Sequence, residues 1–146
     1  MCIRDRNDTE FILFLRKPGG YRSVSPLQKA LSMLTRDEMQ GWLRSFWSDI
    51  RGASTREGHP APYPVELAER LIRLFSFAGD TILDPFIGTG ATSLAAMATG
   101  RNSIGIDIEP KYLTIAQGHL LTARNRRRKV DSVKPMVVLD GLPPTD

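Results

Sequence analysis

Residues 84–90 read Asp84-Pro85-Phe86-Ile87-Gly88-Thr89-Gly90, set between the apolar run Thr81-Ile82-Leu83 and a small-residue stretch from Ala91 to Thr99. The pattern predicts a strand, a tight glycine turn and a helix start. Glycine accepts positive φ and lets backbone pass close to a ligand, and the first turn of a helix presents N–H groups that have no intrahelical acceptor. An elbow of this kind restricts the chain to folds in which a strand feeds directly into a helix, with a polar ligand at the junction.

The surrounding sequence extends that pattern. Pro64 opens a helical stretch in which Val65, Leu67, Ala68, Leu71, Ile72, Leu74 and Phe75 share one broad face, and Gly79-Asp80 turns the chain into the strand Thr81 to Asp84. After the helix Ala91 to Thr99 and its C-terminal Gly100, Ser103 to Ile108 reads as a second short apolar strand. Pro110 starts a last helix with Tyr112, Leu113, Ala116, Leu120 and Ala123 on its buried side. Helix, strand, helix, strand, helix is the order of an α/β fold with a parallel sheet and right-handed crossovers.

Upstream, the unbroken apolar run Phe11 to Leu15, closed by Pro18-Gly19-Gly20, predicts a buried strand. Thr35 and Glu38 have capping-box spacing, and Met39, Trp42, Leu43, Phe46 and Trp47 recur at helical intervals, so a helix ending near Trp47 is expected, its aromatics in the core. Residues 48–63 read as irregular. Met136 to Leu139 is a further short apolar run of strand type.

Composition narrows the functional classes. The formal charge of +4 rests on Arg124, Arg126, Arg127, Arg128 and Lys129, without which 15 basic residues face 16 acidic ones. The positive balance therefore marks one cluster, a helix end with phosphate contact as the other reading, and not a basic surface. A single cysteine, Cys2, excludes an internal disulfide and a four-cysteine zinc site, and no secretory signal is visible. Both fit a reducing cytoplasm, and no stretch approaches the length of a membrane span.

In an open α/β sheet the ligand sits outside the carboxyl ends of the strands, where Asp84 and Asp107 both fall. Asp107 follows Gly90 by about the interval at which nucleotide-binding folds place a carboxylate for ribose hydroxyls. The glycine pattern argues against two common ligands. There is no Gly-Lys-Ser/Thr to cradle nucleotide phosphates, and Ser93 stands where a dinucleotide site has its third glycine. An acid and a proline at 84–85 suit a cationic ligand better than a pyrophosphate. S-adenosylmethionine fits, with a sulfonium, an ammonium and ribose hydroxyls but no phosphate.

These residues also carry a resemblance. Asp84 to Gly90, preceded by His59-Pro60-Ala61-Pro62-Tyr63-Pro64 and followed by Gly105-Ile106-Asp107, resembles the C-terminal half of an amino-group DNA methyltransferase, which methylates cytosine N4 or adenine N6. The order matches the branch in which the catalytic motif precedes the cofactor motif, and the likeness runs from about Glu10 to about Leu120. It implies a Rossmann-like S-adenosylmethionine-dependent fold with an incomplete parallel sheet, in which Glu10 to Lys17 is the strand that closes the sheet. It further implies that His59, Pro60 and Tyr63 hold the methionine end of the cofactor. Asp84, Pro85, Phe86, Gly88, Thr89 and Gly90 would line the turn against it, and Asp107 would take the ribose hydroxyls. Two departures are visible: Ala91 stands where a second threonine is common, although Thr92 remains, and Tyr63 replaces a frequent phenylalanine. His59 judged alone is a loop histidine, and His119 has no partner in view and reads as structural.

Methyl transfer to an exocyclic amine is hard because the nitrogen lone pair is delocalised into the ring. The family meets this with an Asp, Asn or Ser followed by Pro-Pro and an aromatic, which accepts from the amine and stacks the flipped base. Leu142-Pro143-Pro144-Thr145 lacks both the acceptor and the aromatic. The resemblance thus implies a catalytic segment before Glu10, and residues 1–9, with the opening Met1 to Arg6, read as a truncated or non-native start. The expected organisation is 1–9, a cofactor-binding domain over 10–125, and a basic cluster and tail over 126–146. The expected activity is site-specific DNA methylation in a restriction-modification setting, with DNA as partner of the complete enzyme and no catalytic residue in this chain. A missing N-terminal half or a separate catalytic chain would complete it, the alternative being a module that only binds S-adenosylmethionine.

Overall fold

The computed structural model describes residues 11–52 and 63–127. His59, Pro60, the start at 1–9, the run 136–139 and Arg128-Lys129 lie outside the described residues. Seven elements follow in order: α1 (Pro26–Leu31), α2 (Arg36–Trp42), α3 (Val65–Phe75), β1 (Thr81–Asp84), α4 (Ala91–Ala98), β2 (Asn102–Gly105) and α5 (Pro110–Arg127). The class is α/β. Among the described residues the sheet is a single parallel pair, with Thr81 opposite Asn102, Ile82 opposite Ser103, Leu83 opposite Ile104 and Asp84 opposite Gly105.

The ladder outlasts the strands. Ile106 N–H donates to the Asp84 carbonyl and Ile87 N–H to the Ile106 carbonyl, both at 2.9 Å, so the chain stays extended past Gly105 although the strand is shorter than the expected 103–108. α4 packs across both strands with α3 and α5 against it. The core lies in that layer: Ala68 and Ile72 of α3 meet Ala95 and Ala96 of α4, with Ile82 of β1 beneath them. Small side chains let α4 approach closely, and the buried Ser103 hydroxyl donates to Ser93 Oγ at 2.9 Å across the β2–α4 contact. α4 closes on Gly100 in the left-handed region, the Arg101 N–H returning to the Ala96 carbonyl at 2.8 Å.

The opposite face of the pair is apolar and open. Leu83 and its partner Ile104 are 62% and 39% exposed, and Ile106 beside them is 54% exposed.

Two expectations upstream are corrected. Phe11 to Leu15 forms no strand and is exposed along its whole length. The only ladder among the described residues is β1 with β2, and a strand without a partner would leave its N–H and C=O groups to water. Phe14 instead rests on Phe75, ring centres 4.3 Å apart. The second correction is α2, which stops at Trp42 and not near Trp47, with Leu43 as its C-cap. Its aromatics do not enter the core. Trp42 and Trp47 flank the guanidinium of the buried Arg70, 5.4 and 4.9 Å from the ring centres, and Asp49 takes that guanidinium in a bidentate pair at 2.8 and 3.2 Å.

Polar contacts tie α1 and α2 to the rest. Gln28 Nε2 donates to the Ala78 carbonyl at 3.2 Å, Ala78 N–H to Ser32 Oγ at 2.7 Å, and Arg73 holds Glu38 through a pair whose Nη2–Oε2 contact is 2.9 Å. The Arg73 guanidinium, then the Thr35 N–H, hold the Glu38 carboxyl below its ordinary 4.5. A carboxylate lowered by folding adds stability above its ordinary value, and that stability is lost as pH falls through the lowered one. Glu38→Gln should therefore flatten the acid limb of a pH–stability curve, its deficit relative to wild type being full above about pH 4.5 and shrinking as the pH falls below it, read by urea melts across that range.

Candidate functional site

The elbow is built as its composition dictates. Asp84 ends β1, and its Oδ1 accepts the Phe86 N–H at 3.0 Å, which bends the chain away from the strand. Gly88 at φ 51° and Gly90 at φ 95° take the left-handed region, where a side chain would be strained. Gly90 N–H donates to the Ile87 carbonyl at 2.9 Å and closes the turn. Gly90 then caps α4 with no side chain, so the first-turn N–H groups meet no side-chain acceptor. A Cβ at Gly90 would stand 3.0 Å from the Ala116 Cβ, since α5 packs directly on the turn.

The two carboxylates flank this loop from neighbouring strand ends. Asp107 lies two residues beyond β2, and its Oδ2 accepts the Gly88 N–H while Oδ1 accepts the Glu109 N–H, both at 2.9 Å. On the other side Asp84 Oδ2 accepts from the Tyr63 hydroxyl at 3.1 Å and from the Thr92 hydroxyl, and the two hydroxyls also touch each other. Gly88 and Gly90 are buried, Asp84, Thr89 and Asp107 half-buried, and Pro85 and Phe86 exposed, Phe86 at 82%. Of the residues expected at the site, Tyr63, Asp84, Pro85, Phe86, Gly88, Thr89, Gly90 and Asp107 thus converge on one loop. No cluster of metal-ligating side chains occurs among the described residues, and no helix among them is long and apolar enough to cross a membrane.

A family model described as DNA methylase, covering N6 and N4 amino-methyltransferases, matches residues 3–118. The chain belongs to this DNA methylase family. It is 36% identical over 123 residues to the Type II methyltransferase M.MthZI of Methanothermobacter thermautotrophicus, covering 78% of this chain and 35% of that protein. It is 42% identical over 115 residues to M.MjaI of Methanocaldococcus jannaschii, covering 75% and 38%. Among solved structures it is similar to the putative DNA modification methylase TTHA0409 of Thermus thermophilus, with TM-score 0.67, 41% identity, and 86% of this chain against 47% of that one. The complex of TTHA0409 with S-adenosyl-L-methionine gives 0.65 and 38%, over 84% and 45%. The DNA methylase chain thus spans a little over a third of these curated relatives and about half of TTHA0409.

Two groups at this DNA methylase elbow have roles that the sequence did not disclose. Although Tyr63 is 37% exposed, loss of water around its phenol, reinforced by the Asp84 charge, pushes that group up to about 12, so it stays a protonated donor. His119, read from sequence as lacking a partner, places Nδ1 2.9 Å from the Thr89 carbonyl. A carbonyl accepts only, so Nδ1 carries the proton and the ring steadies the loop from α5. The available signal was position: His119 follows Ala116 by three residues and therefore borders the buried face of α5.

Proposed function

We propose that this chain is the cofactor-binding half of a site-specific DNA methyltransferase that transfers a methyl group from S-adenosylmethionine to cytosine N4 or adenine N6. The observation that carries the reading is the pair of carboxylates, Asp84 and Asp107, on either side of a positive-φ glycine loop at the ends of parallel strands. Asp107 keeps lone pairs for a ribose diol. Asp84 brings negative charge to the other end of the loop, where a sulfonium and an ammonium would be attracted and a phosphate repelled. Tyr63, Pro85, Phe86, Gly88, Thr89 and Gly90 complete the cradle, with His59 and Pro60 assigned to the methionine end. The S-adenosyl-L-methionine complex of TTHA0409 supports the choice of ligand, and the Type II methyltransferase relatives support DNA as the substrate.

The proposed branch is the one in which catalysis precedes cofactor binding, as the resemblance of the 59–107 motifs implies. No Asp, Asn or Ser followed by Pro-Pro and an aromatic occurs in the 146 residues, and the role proposed for them is therefore confined to holding the cofactor. The open apolar face at Leu83, Ile104 and Ile106 favours this reading, because parallel sheets are ordinarily covered on both faces.

Calorimetric titration with S-adenosylmethionine and NAD, alongside a labelled-methyl assay on DNA of mixed sequence, tests both halves of the proposal. Saturable binding of S-adenosylmethionine, none of NAD, and no methyl incorporation by the chain alone are expected. Tight binding of NAD alone would remove the assignment, and turnover by the 146-residue chain would show that it carries its own catalytic groups.

A further inference from the structure

Asp84 and Asp107 differ in how much of their accepting capacity the protein already uses. An ionised carboxylate offers about four lone-pair positions. Asp107 spends two, on the N–H groups of Gly88 and Glu109, which leaves two for a diol. Asp84 spends three: Oδ1 on the Phe86 N–H, and Oδ2 on the hydroxyls of Tyr63 and Thr92. A single position on Oδ1 remains. The carboxylate is therefore held from three directions, by its own turn, by α4 and by the chain segment leading into α3. A phenylalanine at position 63 would keep the ring and lose one of those restraints.

We propose that Tyr63 is a positioning residue, whose hydroxyl acts with that of Thr92 to aim the Asp84 carboxylate at the cationic amino-acid end of S-adenosylmethionine. The inference rests on the cofactor assignment above and specifies which part of the cofactor each carboxylate serves. Asp84 takes one N–H of the ammonium and supplies charge, whereas Asp107 takes the ribose. Tyr63 touches no reacting atom and acts only through Asp84. Its phenol is a donor throughout the pH range in which the protein is handled, so the restraint does not switch off.

Three ligands separate this role from general support of the loop. S-adenosylmethionine has the amino-acid end and the sulfonium, S-adenosylhomocysteine keeps the amino-acid end without the sulfonium, and 5′-methylthioadenosine lacks the amino-acid end altogether. Calorimetry on Tyr63→Phe should show affinity for the first two reduced about five- to tenfold, and for methylthioadenosine unchanged within about twofold. Thr92→Val should reproduce that pattern and Thr92→Ser should restore it, a comparison that stands even if Tyr63→Phe fails to fold. Equal loss on all three ligands would make Tyr63 merely structural, and no loss on any would remove the role while leaving the cofactor assignment intact. A wild-type chain that binds none of the three removes both.

Discussion

Gly105→Ala should destabilise the chain by about 1–3 kcal/mol and weaken cofactor binding with it, although Gly105 is not among the residues assigned to the cofactor. A Cβ at this position would lie 1.9 Å from Ile87 Cδ1, 2.9 Å from its Cγ1 and 3.0 Å from its Cβ. Rotating the end of the side chain does not relieve three such contacts, so Ile87 must move as a whole. It is 3% exposed, with its N–H committed to the Ile106 carbonyl at 2.9 Å, and its own carbonyl closes the glycine turn. The strain therefore passes from the sheet into the elbow. Gly105 lies outside the positive-φ region, which makes the effect steric and leaves backbone conformation out of it. Urea melts followed by the fluorescence of Trp42 and Trp47 give the stability change. Ile87→Val removes the atom of the worst contact, so the double variant should lose less than the sum of the singles. A melt midpoint unaltered by Gly105→Ala would mean that the packing is looser than these distances require.

Particular residues show why some of this architecture is legible in the sequence and some is not. β1 reads at its true bounds because Thr81 to Asp84 is fenced by Gly79-Asp80 on one side and Pro85 on the other, and α5 begins at Pro110 for the same kind of local reason. The convergence of Asp84 and Asp107 follows from strand polarity alone. Phe11 to Leu15 misleads because an apolar run states that burial is favourable and not what will bury it. Strand pairing is a tertiary fact. α1 escapes notice although Ser25, Pro26 and Gln28 form a capping box with proline at the first position, a signal easily lost in a helix of six residues. The Trp42–Trp47 cluster misleads for a deeper reason. Arg70 lies buried on α3, and its partners Asp49, Trp42 and Trp47 come from a segment distant in sequence, so helical periodicity could not place a charge beneath those rings. Its one local sign is Glu66, four residues earlier on the same helix.

Asp107→Ala should lower affinity for S-adenosylmethionine by about 100-fold or more, the largest loss expected of any single change at the site. Two effects combine. The ribose loses a charged acceptor, and a hydrogen bond to a charged group contributes about 1.5–3 kcal/mol. At the same time the N–H of buried Gly88 loses the oxygen that holds it at 2.9 Å, so the turn at Gly88 is no longer tethered to the end of β2. Asp107→Asn separates the two. Its single carbonyl oxygen can accept from Gly88 or from Glu109 but not both, and its NH2 group faces whichever donor is left. Asparagine should therefore retain part of the fold contribution and little of the ribose contribution, falling nearer to alanine than to wild type in affinity. A ligand without ribose hydroxyls, the 2′,3′-dideoxy analogue of S-adenosylmethionine, sharpens the comparison. Wild type should bind it weakly, and Asp107→Ala should bind it more weakly than Asp107→Asn, because only the tether of the Gly88 turn still separates the two variants. If wild type bound the dideoxy analogue as tightly as S-adenosylmethionine, Asp107 would be an organiser of the Gly88 turn alone, and the ribose would have to be held from another side of the elbow.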